Sequence, residues 1–292
     1  MFERQKANKL FERYFSRPDI NKAYAMVDES DSWYDTITTV HDSLHKITKL
    51  PHDIIEIKSH DNLVLKGVYY PNNSNTTVIC VHGYTSHAER EWAFPGLFYL
   101  TLGYNVLICY QRAHGLSEGK YISFGALESL DMVRWVDKVN ALIPEGNIII
   151  HGLSMGGGIV LYLSNKELRN VKCLISDAPS STIIDFYKNA PTWFYKFNTD
   201  KISKYMIERF TQEFDCNIED YKVIEVAKDS KYPILLSAGS NEHLEELFEI
   251  IKNNNPKETK IIILPGCNHG NGMYKQTKLY QETIKEFIDK NI

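Results

Sequence analysis

The chain has 292 residues, 43% hydrophobic and 24% charged, with 33 Lys and Arg against 37 Asp and Glu. This is enough to bury the core of one large domain, and the net charge of -4, with no lysine-rich stripe interleaved with aromatics, argues against nucleic acid as a partner. Five cysteines without a CxxC or His/Cys cluster at ligand spacing argue against a metal, and Cys80, Cys109 and Cys173 lie inside predicted strands as small reduced core residues.

Residues 1–50 read as an N-terminal helical extension ahead of a main domain at 51–292. Residues 1–22 carry six Lys or Arg against three Asp or Glu, with Ala7, Leu10, Phe11 and Tyr14 on one helical face. That apolar face is short, so packing on the main domain or in a homo-oligomer is expected ahead of a membrane surface. There is no apolar signal-peptide core and no run of eighteen apolar residues, which predicts a cytoplasmic enzyme without stable membrane insertion.

Ile54–Lys58 and Leu63–Tyr70 read as an opening hairpin around His60-Asp61-Asn62. Val78–Val81, Asn105–Tyr110, Ile148–Gly152, Val171–Ser176, Ile234–Ala238 and Lys260–Leu264 supply six more strands. Between them, Leu127, Leu130, Val133 and Val136 mark one helical face, and Tyr280, Ile284, Phe287 and Ile288 another. The alternation predicts a mostly parallel eight-stranded sheet with helices on both faces.

Gly152-Leu-Ser-Met-Gly156 follows the apolar run Asn147-Ile-Ile-Ile-His-Gly152 and opens a small-residue segment. A serine held on a sharp strand-to-helix turn needs small neighbours, and Gly152, Gly156, Gly157 and Gly158 meet that need, which makes Ser154 the candidate nucleophile. Its base is expected late in the chain. His269 fits, in the glycine-punctuated loop Leu264-Pro-Gly-Cys-Asn-His-Gly270 after a β-branched run.

Taken with Cys80-Val-His-Gly-Tyr84, Gln111-Arg-Ala-His-Gly-Leu-Ser-Glu-Gly119 and Ser176-Asp-Ala-Pro179, these motifs make the chain resemble an α/β-hydrolase from about Ile54 to Phe287. It is similar in particular to small bacterial esterase-like and acyl-thioester-hydrolase-like members. The resemblance implies an α/β-hydrolase fold with a helical cap inserted after strand six, at about 180–231. It also implies a triad acid after strand seven, where relatives carry aspartate and this chain has Glu242; Asp177, at the end of strand six, is the alternative. As a bland role, Glu242 would serve as a charge at a helix N-terminus. Backbone amides of Met155 and, by resemblance, Tyr84 would form the oxyanion hole. Arg112 and His114 would brace that region, although Tyr110 stands where relatives often have an aspartate.

Phe186, Tyr187, Trp193, Phe194, Tyr195, Phe197, Tyr205 and Phe210 lie in the expected cap. Phe186, Trp193 and Phe194 are the candidate substrate-pocket residues, with most of the rings expected to hold the cap to the core. The reading is a carboxylesterase acting on a small-molecule ester or thioester with a hydrophobic acyl or aryl group, with no cofactor. Thioesterase, acyltransferase, peptidase and lactonase chemistry would use the same machinery. A second reading, motivated by the altered acid region, is a catalytically silent scaffold that binds a ligand or partner; retention of Ser154 and His269 weighs against it.

Overall fold

The computed structural model describes residues 2–19, 31–180 and 199–292. Helix α1 (Phe2–Phe15) comes first, followed by α2 (Ile37–Ile47), β1 (Asp53–Lys58), β2 (Val64–Tyr70), β3 (Thr76–Val81), α3 (Ala88–Thr101) and β4 (Asn105–Cys109). Next are α4 (Ala126–Leu142), β5 (Asn147–Leu153), α5 (Met155–Tyr162), β6 (Val171–Asp177), α6 (Thr199–Phe214) and α7 (Val223–Ala227). The chain ends with β7 (Ile234–Gly239), α8 (Glu245–Asn254), β8 (Thr259–Leu264), α9 (Gly272–Lys275) and α10 (Thr277–Asn291).

The eight strands form one sheet in the order β1-β2-β4-β3-β5-β6-β7-β8. β2 pairs antiparallel with β1 and β4, and every other neighbouring pair is parallel. The central strands read as continuous apolar runs because both their faces are covered: every residue of β3, β4 and β7 is buried. Successive side chains point to opposite faces, so β3 sends Ile79 and Val81 into one core and Val78 and Cys80 into the other. Helices α1, α4, α5 and α6 close the first core; α3 and α10 close the second. All five cysteines are free, with Cys80, Cys109 and Cys173 buried in β3, β4 and β6.

The predicted face of α10 is the buried one, as Tyr280, Ile284, Phe287 and Ile288 all lie in the core. The face predicted for α4 is rotated. Leu127 and Val136 are buried, but Leu130 and Val133 are only half-buried, and Met132, Trp135 and Val139 complete the core stripe. Trp135 decides the rotation, since its ring carries more apolar area than any competing side chain on the helix.

The apolar face of α1 packs within the chain. Phe11 and Phe15 stack with centroids 4.3 Å apart, and Phe15 meets Phe210 of α6 at 5.7 Å. Arg17 then fastens this helix to the β4–α4 loop, donating to Gly115 O at 2.5 Å and Ser117 O at 2.6 Å. Of the expected cap, α6 and α7 lie between β6 and β7 as a helical insertion. Phe210 and Tyr205 hold α6 to α1, Tyr205 beneath the guanidinium of Arg4. Among the described residues, no helix is long and apolar enough to cross a membrane.

Candidate active site

Ser154 stands between β5 and α5 with φ 59° and ψ -118°. A non-glycine residue there costs about 1–3 kcal/mol and persists only where its surroundings fix it. Its amide donates to Asp177 O at 2.8 Å, and its carbonyl accepts from Gly158 N at 3.0 Å and Ser180 N at 3.3 Å. The flanking glycines are required by close approach. A Cβ on Gly152 would lie 2.1 Å from Gly156 O, and one on Gly156 would lie 2.0 Å from Val81 O.

His269, in the loop after β8, brings Nε2 to 2.8 Å from Ser154 Oγ. Its Nδ1 lies 2.5 Å from Glu242 Oε2. Glu242 closes a short 3-10 turn, Ser240–Glu242, directly after β7, and its other oxygen accepts the Gly239 amide at 2.8 Å. The loops carrying the two residues are joined by Asn241 N to Cys267 O at 3.1 Å and by Asn241 Nδ2 to Asn268 Oδ1 at 2.7 Å. The hydrogen bond to Glu242 outweighs burial and holds the His269 pKa above its ordinary value.

Asp177, the alternative acid, is committed elsewhere: its Oδ1 accepts from Ser237 Oγ at 2.5 Å and its Oδ2 from the Tyr280 hydroxyl at 2.7 Å. Burial, which outweighs these hydrogen bonds, pushes its carboxyl up to about 6. The Tyr280 hydroxyl also lies 3.3 Å from His151 Nε2, whose Nδ1 is 2.6 Å from the Tyr99 hydroxyl. This buried hydrogen-bonded chain behind Ser154 is not legible in the sequence. Its one signal was a histidine inside an otherwise apolar strand.

The β3–α3 loop approaches the nucleophile closely enough that a Cβ on Gly83 would be 3.2 Å from Ser154 Cβ. The Tyr84 amide follows Gly83 directly, and the Met155 amide opens α5. The Tyr84 phenol turns away, donating to Tyr14 O at 2.8 Å and stacking on Phe124. Two buried histidines brace this loop. His82 donates from Nδ1 to Gly83 O at 2.8 Å and accepts the Gln111 amide at Nε2, while His114 donates to Arg112 O at 2.9 Å and accepts the Thr85 amide. Accepting a backbone N–H at Nε2 requires the neutral ring. Burial agrees, depressing both pKa values, that of His114 to about 4.

Arg112 is buried and doubly paired, with Nε 2.7 Å from Asp131 Oδ2 and Nη1 2.9 Å from Asp61 Oδ2. Tyr110 donates to Glu89 at 2.8 Å. His60, Asp61 and Asp131 come close enough together to suggest a metal site, but the Arg112 guanidinium already occupies the two carboxylates. The candidate pocket residues Phe186, Trp193 and Phe194 lie outside the described residues.

Known proteins share this architecture. An esterase of Pyrococcus furiosus, Pf2001, superposes with a TM-score of 0.65 at 27% identity, covering 84% of this chain and 93% of that one. Est1E of Butyrivibrio proteoclasticus, solved with ferulic acid bound, superposes with a TM-score of 0.64 at 22% identity over 81% of this chain and 98% of that one, and so supports the α/β-hydrolase fold. By sequence, the protein YqkD of Bacillus subtilis is 27% identical over 264 residues, 85% of this chain and 83% of that protein. Residues 72–264 match the Hydrolase_4 family model, described as serine aminopeptidase, S33. The chain belongs to that S33 hydrolase family, within the α/β-hydrolase superfamily.

Proposed function

We propose that the chain is a serine hydrolase that cleaves a carboxylic ester or thioester through an acyl-serine intermediate. The observation that carries this reading is the continuous contact from Ser154 Oγ through His269 to Glu242. Ser154 attacks the carbonyl carbon as His269 Nε2 takes its proton, and Glu242 stabilises the imidazolium. The amides of Tyr84 and Met155 receive the negative charge that develops on the carbonyl oxygen. His269 returns the proton to the leaving atom. Water, deprotonated by the same imidazole, then releases the acyl group.

Esters are favoured over peptides because the Pf2001 neighbour is an esterase. The contact of Glu242 with the imidazole supports the enzyme reading over the silent-scaffold one. A fluorophosphonate probe combined with a panel of esters, thioesters and aminoacyl amides tests the proposal. Labelling that disappears in Ser154→Ala, with turnover concentrated among the esters or thioesters, is expected. Folded protein that fails to label would sink it, and turnover confined to aminoacyl amides would replace it with peptidase activity.

A further inference from the structure

A cavity of about 270 Å³ lies on the sheet face that carries α3 and α10, between residues 31–40, the start of α3 and α9. Its apolar walls are Trp33, Ile37, Val40, Leu153, Met273 and Tyr274. Two close approaches place it near Ser154 and His269. A Cβ on Gly270, the residue after His269, would lie 3.3 Å from the Trp33 ring and 3.5 Å from the Leu153 side chain. Glu91, on the cavity wall, has Oε2 3.3 Å from the same Gly83 position that stands 3.2 Å from Ser154 Cβ. The cavity wall is thus one residue removed from both Ser154 and His269, on the side of the histidine loop.

That side has a defined chemical meaning. The proton removed from Ser154 must pass through His269 Nε2 to the departing atom, so the leaving group has to lie toward the imidazole and the acyl chain away from it. We propose that this cavity receives the leaving group of the substrate, an apolar alcohol, phenol or thiol. As the acyl carbon's bond to that oxygen or sulfur breaks, its bond to Ser154 Oγ forms and the serine proton ends on the departing atom. This rests on the serine-hydrolase reading above and adds a specificity determinant outside the cap.

The wall is built to be stable. Asn271 Nδ2 donates to Ser32 O at 3.1 Å, and Trp33 meets the Tyr274 ring edge at 5.6 Å, so residues 31–40 are fixed to the histidine loop. Leaving-group preference then depends on the segment that precedes the main sheet.

The test uses esters of one acyl group with methanol, benzyl alcohol and 2-naphthylmethanol, whose similar leaving-group basicity isolates size, and a second series of acyl lengths on one alcohol. Filling the cavity with Val40→Trp is expected to lower the naphthylmethyl-to-methyl ratio of kcat/KM about tenfold or more, and Trp33→Ala to raise it, while the acyl-length profile keeps its maximum. A ratio within about twofold of wild type in both, or a displaced acyl maximum instead, overturns the assignment. Should both variants misfold, wild-type inhibition decides: free 2-naphthylmethanol is expected to compete with the ester far more strongly than methanol, and equal potency overturns the proposal. Wild-type protein that neither labels with fluorophosphonate nor turns over any ester removes the parent reading, whereas an active wild type without these size effects removes the leaving-group pocket alone.

Discussion

Glu242 divides its carboxylate between the imidazole of His269, 2.5 Å from Oε2, and the amide of Gly239, 2.8 Å from Oε1. The second bond anchors the first. A glutamate, one methylene longer than aspartate, reaches the ring because the 3-10 turn after β7 folds the residue back toward its own strand. Only 9% of its side chain is exposed, against 53% of the His269 side chain, so the carboxylate is shielded while the imidazole faces the solvent side.

Replacing Ser154 by alanine is expected to lower kcat by about 10⁴-fold or more, with His269→Ala similar and the double variant little worse, because the two act as one unit. Steady-state turnover of an activated ester checks this. Additive losses would show that the two side chains do not cooperate.

Glu242→Gln is expected to cost roughly 10²–10⁴ in kcat, whereas Asp177→Asn, which alters the relay to Ser237 and Tyr280, should affect stability more than turnover. Parallel kinetics and denaturant unfolding of the two variants separate the roles. Unchanged turnover in Glu242→Gln would return the acid assignment to Asp177.

The pH profile gives a signed test. In the proposed mechanism His269 must be neutral to accept the serine proton, and Glu242 holds its pKa above the ordinary histidine value, so activity is expected to be lost as pH falls through that raised pKa. Removing the carboxylate in Glu242→Gln removes the main cause of the increase, and the acid limb of kcat/KM should move to lower pH. A limb that stays in place would point to another titrating group.

Burial pushes the Glu91 carboxyl up to about 7 despite hydrogen bonds from Ser86 and Gly83. A carboxyl raised above its unfolded value near 4.3 binds more protons folded than unfolded, so its contribution to stability declines as pH rises from about 4 to 7. Glu91→Gln keeps an acceptor for the Gly83 amide and is expected to gain on wild type by about 3–4 kcal/mol between pH 4 and 8. Urea midpoints at several pH values measure it, and a constant difference would contradict the shift.

Arg112→Met should be among the most damaging substitutions away from Ser154, His269 and Glu242. It leaves Asp131 buried without its cation, at a cost of about 3–5 kcal/mol, whereas Asp61→Asn removes a partner that is partly exposed and should cost less. Thermal unfolding distinguishes the two, and equal losses would mean that Asp131 is adequately solvated.

Local chemistry made much of this protein legible in one dimension. The apolar runs of β3, β4 and β7 reveal strands covered on both faces, and the glycines around Ser154 reveal a turn where no Cβ fits. Periodicity located α4 but misplaced its face, because the choice among neighbouring apolar residues was made by how Trp135 packs on the sheet. The relay through Tyr99, His151, Tyr280 and Asp177 joins four separate elements, and no spacing rule connects them. Sequence by itself determined the strand and helix alternation and named Ser154, His269 and two rival carboxylates, since each depends on a short window of residues. Tertiary structure decided which carboxylate meets the imidazole and that residues 31–40 wall a cavity against the following turn, since both depend on distances across a folded sheet that chain order does not encode.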